Sequence, residues 1–381
     1  MIVQAETIER IAEVAAADWD RLDAAGNPFL RHAFLEALES SGCVGEDAGW
    51  VPRHLLLRDD AGRLAGAVPR YLKTHSWGEF VFDWNWAQAS IRAGIEYYPK
   101  LVAAVPFTPV SGPRLLVARD DAGRRPLLAA ELLESARRSG VPGTQVNFTT
   151  PDDQAALEAA GFLARHDCRF QWRNRGYRDF GDFLEGLRAE KRKKLRRERR
   201  RVAEAGITFA TLPGGDVQPE LWQAIFGFSE QTFLRHGNAH YLTADFLALV
   251  AARLPGSIMV KLAMLAGEPV AAAIFFQDDR WLYGRYWGSA RQVDCLHFEA
   301  CYYQGIEWCI ERGLDGFDPG TQGEHKLARG FEPTLTRSAH WFAHREFSSA
   351  IERYLQRERD AVRQYIEAAR EHLPFHREAE A

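Results

Sequence analysis

Hydrophobic and polar positions along this chain switch repeatedly between a helical and a strand period, and the switches mark out its elements. After a short N-terminal strand, NPFLRHAFLEALESSG sets Phe29, Phe34, Leu35 and Leu38 at helical spacing, with Asn27 as cap and Pro28 at the first helical position. HLLLRDDAGRLAGAVPRYLK is two apolar runs around an Asp-Ala-Gly turn, which predicts a hairpin. GEFVFDWNWA reads as a further strand, whose alternation groups Asp83 with Val81 and Asn85 against Phe82 and Trp84. A proline-rich, partly irregular stretch follows. LLAAELLESARRSG is a helix closed by Gly140, TQVNFTT a strand, PDDQAALEAAG a short helix closed by Gly161, and FLARHDCRFQWRN a strand.

The second half repeats that order. GITFATL is a strand, and PELWQAIFGFSEQTFLRHG and TADFLALVAARLPG are helices. IMVKLAMLAGEPVAAAIFFQDDRWLYGRYWGSA holds three strands, FEACYYQGIEWCIERGL a helix, GEHKLARG a helical turn and FEPTLTRSAHW a strand. The tail from Ser348 to Arg370 groups Ile351, Tyr354, Leu355, Val362, Tyr365 and Ile366 on one face of an amphipathic helix. Gly161-Phe162 leads to Trp172 and Gly330-Phe331 leads to Trp341 at the same interval, and FVFDWNWA echoes WLYGRYWG, which argues for an internal duplication.

The two halves are separated by FGDFLEGLRAEKRKKLRRERRRVAEAG. Its apolar positions predict one helix, stopped by Gly206, with a thin buried stripe of Phe183, Leu184, Leu187, Leu195 and Val202. From Arg188 to Arg201 it holds ten Lys/Arg and two acids, a local charge of +8 in a chain of formal net charge -4. Such a helix repels itself unless an anionic ligand (tRNA, coenzyme A or a lipid head group) or acids from a neighbouring surface offset the charge. Arg196 and Arg197 are its candidate contacts. Composition is otherwise that of a globular protein, with 46% hydrophobic and 26% charged residues. The 381 residues predict two domains. The five cysteines form no CxxC pair, and no apolar run is long enough to span a bilayer, so a cytoplasmic protein without metal is expected.

NPFLRHAFLEALE, FDWNWA, YYPKLVAAVPFTPVSGPRLL, RAEKRKKLRRERRRV, YGRYWG, HFEACYYQGIEWCIERGL and FDPGTQGEHKLARGFEP together resemble the FemAB-like "peptidoglycan biosynthesis/recognition" N-acyltransferases of the GNAT-like superfamily. The resemblance implies an α/β fold of mixed sheets with two tandem GNAT-like units. These would be residues 1–175, then 176–345 opened by a basic helix at 183–205, with a C-terminal helix and tail at 346–381. It implies transfer of an acyl or aminoacyl group from acyl-CoA or aminoacyl-tRNA to an amine on a small molecule or peptide, with no tightly bound cofactor. A non-catalytic recognition module and an acetyl-CoA-dependent acetyltransferase remain as alternatives. The glycine-rich pyrophosphate loop of acetyl-CoA enzymes is absent, because GSARQVDCLHFEACYY stands there with only Gly288 in place.

Acyl transfer to an amine needs a proton acceptor and an oxyanion site rather than a protein nucleophile. Asp83, an acid among aromatics, is a candidate base or a buried ion-pair partner. Glu299 and His297 after YGRYWG are candidate acid–base groups or first-turn helix charges. Arg285 is an anion ligand or the partner of Asp318. In FDPGTQGEHKLARGF, His325 is a catalytic candidate. Lys326, at the start of the family-like K-x-x-x-G-F, would hold a donor phosphate or sit in an ordinary surface turn. The pairs Tyr97-Tyr98 and Tyr302-Tyr303 line a groove or belong to the core.

Overall fold

The computed structural model describes residues 4–22, 26–321 and 323–376. Contacts divide the chain into two units, neither of them continuous: Met1–Cys168 with Leu335–Gln364, and Arg169–Thr334 with Tyr365–Ala381. The first division, at Cys168/Arg169, falls before the boundary expected between 175 and 176, and the chain then crosses twice more.

The first unit carries β1 (Gln4–Ile8), β2 (Trp50–Pro52), β3 (His54–Arg58), β4 (Leu64–Val68), β5 (Arg70–Lys73), β6 (Lys100–Ala103), β7 (Leu116–Val117) and β8 (Gly143–Asn147). The expected hairpin is β3–β4, pairing Leu55 with Val68. Pro69 then ends the ladder, since proline has no N–H to donate. β4 lies in the sheet β1-β3-β4-β7, whereas β5 lies in β2-β5-β6-β8. β6 and β8 are parallel and are joined through the helix Arg125–Arg138, whose Leu128, Leu132 and Leu133 pack on Val146 and Ala103. Ser338–Phe342 adds antiparallel to β8.

The predicted strand at 80–87 is corrected. Trp84–Arg92 is a helix that buries Trp86, Ala87 and Ser90, a helical spacing which the alternating aromatics concealed. β6 therefore takes the place in the first unit that was assigned to FVFDWNWA, because β6 is the strand paired in parallel.

In the second unit the end of β9 (Leu163–Arg173) pairs with β14, alongside β10 (Ile207–Pro213), β11 (Ile258–Leu265), β12 (Glu268–Gln277), β13 (Trp281–Ser289) and β14 (Gly316–Asp318). β10 to β13 are antiparallel, and β13 and β14 are parallel, joined through the helix Gln304–Arg312. Each unit thus contains antiparallel strands leading into a helix-bridged parallel pair, a mixed α/β arrangement of GNAT-like topology. The Gly-Phe echo falls on β9 and β15 (Glu332–Phe342), which are eleven residues each. Both follow a glycine of positive φ (Gly161 at 103°, Gly330 at 87°) and a buried Phe.

The basic stretch is two helices, Phe180–Glu185 and Ala189–Glu204, rather than one. The break at Gly186–Arg188 is held by a bridge between Leu187 and Phe375 and by Arg188 N–H donating to Pro374 O at 2.8 Å. The C-terminal helix is Arg345–Glu371. In the first unit its Phe347, Ile351 and Leu355 pack with Trp86 and Tyr97. No described helix is long and apolar enough to cross a membrane.

Candidate active site

The ladder between β13 and β14 stops at Tyr283 and Asp318, while β13 runs on to Ser289. Opposite β12 the register shifts between Ile274 and Phe275, which leaves Arg285 as the extra residue of a β-bulge. Where the strands part there is a cavity of 160 Å³. Gly284 to Trp287 form one wall and Pro319 and Thr321 another, and His297, Cys301, Tyr302 and Lys326 close it.

The segment after β13 supplies three of these residues by an irregular helix. A turn at Leu296–Phe298 is followed by a π-helix at Glu299–Tyr303 and then by Gln304–Arg312. Tyr302 lines the cavity, while the next residue, Tyr303, hydrogen-bonds Glu198 and Arg329 in the interior. The His297 ring meets Trp287 and Tyr302 edge-on. Desolvation, reinforced by His325, Lys326 and Arg329, lowers its pKa, so the imidazole is neutral at pH 7 although the residue is exposed. His325 Nε2 lies 2.9 Å from the Tyr302 hydroxyl. Burial, then Arg329 and Lys326, lowers His325 as well.

Lys326 is 2% exposed and donates to Gly320 O at 2.8 Å and Thr321 O at 3.1 Å. Burial lowers it to about 8, against the opposing pull of Asp318. It lines the cavity, yet it is a fixed clasp on the loop carbonyls rather than a mobile charge in a surface turn. Its neighbour Arg329 is held by Glu198 at 2.9 Å and stacks on Phe298 at 3.5 Å.

Of the residues singled out in the sequence, Arg285, His297 and Lys326 line the cavity, and His325 is one hydrogen bond away through Tyr302. Glu299 is buried with its carboxylate on Arg199 (3.1 Å) and Gln304 (2.8 Å). Asp318 is bound by Arg169 at 2.7 Å and Gln171 at 3.1 Å, so Arg169 takes the place suggested for Arg285. Arg196 and Arg197 are exposed on Ala189–Glu204. Neighbouring acids offset part of that helix, since Arg199 pairs with Glu299 and Glu307 and Arg201 with Asp294. Tyr302 was visible in the sequence only as half of a tyrosine pair. Cys301 and Thr321 carried no signal.

Asp83 belongs to the first unit, in a buried cluster. Lys100 Nζ donates to Asp83 at 2.5 Å and to Glu79 and Ser76 at 2.9 Å each. Tyr97 and Gln145 also donate to Asp83, at 2.6 and 2.8 Å. Burial alone would raise the Asp83 carboxyl, but the Lys100 charge and these donors hold it well below the usual range. Burial, reinforced by the Asp83 charge, raises Glu79 to about 7 against the opposing pull of Lys100 and Lys73. Of the tyrosine pairs, Tyr97, Tyr302 and Tyr303 are buried.

The start of the helix after β13 already carries acids, with Asp294 beside it and Glu299 in the next turn. Gly288 faces the backbone of Phe228, where a Cβ would lie 1.9 Å from its carbonyl carbon. That glycine admits the helix Pro219–Arg235 against β13 rather than forming a phosphate loop. Among the described residues no group of three or more His, Cys, Asp or Glu side chains could hold a metal ion.

The profile of the FemAB-like family, described as peptidoglycan biosynthesis/recognition, matches residues 10–377. No curated protein sequence matches the chain. Among solved structures, FemX is similar at 12% identity and TM-score 0.53, over 92% of this chain and 100% of that one. L-PGS from Bacillus licheniformis is similar at 12% identity and TM-score 0.51, over 84% of this chain and 96% of that one. The C-terminal domain of a protein assigned as a lysylphosphatidylglycerol synthetase from Agrobacterium fabrum is similar at 13% identity and TM-score 0.52, over 88% and 93%. At these identities the likeness is one of fold.

Proposed function

The chain belongs to the FemAB-like family, and from that premise we propose that it transfers an acyl or aminoacyl group to an amine, with the donor carbonyl in the cavity of the second unit. The observation that carries this is the parting of β13 from β14 beyond Tyr283, where a strand edge faces a cavity instead of a partner. Backbone N–H groups on such an edge suit the oxyanion of a tetrahedral intermediate. The attacking amine forms the new amide bond and gives its proton to a neutral imidazole, for which His297 is our candidate. The bond from the carbonyl to the donor breaks, releasing a coenzyme A thiol or a tRNA ribose hydroxyl. Arg285 is our candidate anion ligand at the cavity wall.

Between the donors we favour aminoacyl-tRNA. The acids at the helix start after β13 oppose a pyrophosphate there, while Lys193, Arg196, Arg197 and Arg200 are exposed along one helix. The acceptor is an amine-bearing small molecule or peptide, and we place the reaction in the cytoplasm. A recognition module is the second reading, favoured by the cavity itself, since 160 Å³ is below the roughly 300 Å³ at which small-molecule sites begin.

The test is to incubate the protein with labelled aminoacyl-tRNA or acyl-CoA and a panel of amines and to follow amide formation. Transfer should occur, and His297→Ala should lower kcat by roughly 10²–10⁴-fold. Replacing Lys193, Arg196, Arg197 and Arg200 by Gln should weaken tRNA binding and flatten its salt dependence. Failure to bind or consume either donor would sink the transferase and leave recognition. Equal salt slopes would remove the helix from the donor site.

A further inference from the structure

In the first unit, β5 opens with an arginine that pairs with no acid among the described residues. Arg70 is 2% exposed. Its Nε donates to Arg53 O at 2.8 Å, one terminal nitrogen to Ser135 Oγ at 2.9 Å and the other to Thr7 Oγ1 at 3.2 Å. All three acceptors are neutral, and among the described residues no carboxylate forms an ion pair with it. A guanidinium has about five N–H donors, so not all are used. A buried charge without a counter-charge is costly, and here the nearest charges aggravate it. Burial first, then the like charges of Arg138 and Arg53, pull the guanidinium down to about 10.

Arg70 faces a cleft of 550 Å³, with Arg53 and Arg138 also on its walls. That volume lies inside the range of about 300–1,000 Å³ usual for small-molecule sites. Arg53 and Arg138 pair with acids that do not line the cleft, Glu9 at 3.4 Å and Glu131 respectively. Glu6, the one carboxylate lining the cleft among the described residues, is bound by Arg58 at 2.6 Å. The remaining lining divides into two kinds. Ser135, Ser139 and Thr7 offer hydroxyls near the arginines, and Leu55, Leu72, Leu101 and Val141 offer an apolar wall.

We propose that this cleft is a ligand site for a small anion, phosphate or carboxylate, joined to an apolar group. The head accepts from the remaining Arg70 N–H groups and from Arg53 and Arg138, and the apolar part lies on the leucines. Guanidinium groups suit such heads because they present paired donors in a plane. The site lies in the first unit and is independent of the acyl-transfer cavity, so either can fail alone.

The experiment is calorimetric titration of the full chain at low salt with hexyl phosphate, hexanoate, inorganic phosphate and hexanol. At least one anionic amphiphile should bind saturably, and both the bare anion and the neutral alcohol should bind at least about tenfold more weakly. Which amphiphile binds more tightly identifies the head group. Arg70→Gln is a risky single test because the residue ties β5 to Thr7 and Ser135. The double variant Arg53→Gln/Arg138→Gln alters side chains that are 32% and 61% exposed and should leave the fold intact. It should lower affinity about tenfold or more. If neither amphiphile binds, if hexanol binds as well as they do, or if the double variant binds unchanged, the proposal is overturned.

Discussion

Replacing Lys100 by Met removes what is, among the described residues, the only ammonium hydrogen-bonded to Asp83 and Glu79, and leaves two carboxyl groups in the interior of the first unit. The side chains of Lys100, Glu79 and Asp83 are 2%, 0% and 0% exposed, so solvent screening gives little relief. Breaking a buried ion pair by removing one partner costs about 3–5 kcal/mol. Methionine keeps most of the volume, so packing loss adds little. The cost should depend on pH. At pH 8 Asp83 must stay charged without its main partner or take a proton from dilute solution. Near pH 5.5 both carboxyl groups protonate more readily and the penalty shrinks. Glu79 supplies a control in the native protein. Its folded pKa of about 7 lies above the reference 4.5, so its contribution is fully present below 4.5 and is lost as pH rises through 7. That difference is worth about 3 kcal/mol. Glu79→Gln should therefore flatten the wild-type stability profile between those values. Urea unfolding at pH 5.5 and 8, followed by Trp fluorescence, measures both effects. Asp83→Asn in the Lys100→Met background should recover part of the loss, as a coupled pair requires. A Lys100→Met cost below about 1 kcal/mol at pH 8, or one that does not change with pH, would refute the reasoning.

Two further outcomes follow from the second unit. Gly288→Ala places a methyl 1.9 Å from the carbonyl carbon of Phe228. It should force the helix Pro219–Arg235 off β13 at a cost of about 1–3 kcal/mol or more, and an unchanged melting temperature would contradict the packing. Lys326→Met strips the Gly320 and Thr321 carbonyls of their donor and should destabilise the loop by about 1–3 kcal/mol. Faster amide exchange at 320–326 is the readout, and native exchange rates would return Lys326 to the role of a free phosphate ligand.

The order of elements was legible in the sequence because most of them carry their own punctuation. The hairpin at 54–68 has its turn residues, the helix Pro151–Ala159 is followed by Gly161, and β9 and β15 each follow a Gly-Phe pair. The charge of the helix Ala189–Glu204 and the residue types of the segment from His297 to Lys326 were also read directly, because both are local in the chain. Tertiary structure decided the remainder, in each case through a partner distant in sequence. Whether Phe80–Ala87 is strand or helix turned on burial, since aromatics at every second position also place Trp86 and Ser90 on one helical face. The basic helix broke at Gly186–Arg188 because its backbone is engaged by Pro374 and Phe375. Asp83 became a buried ion-pair partner through Lys100, and Asp318 went to Arg169 rather than Arg285. Periodicity fixes which face of an element is buried, but an unpaired charge is matched only when the fold brings its partner within reach. For that reason the residues that carry charge were visible from the outset, and their partners, together with the neutral acceptors that hold Arg70, were not.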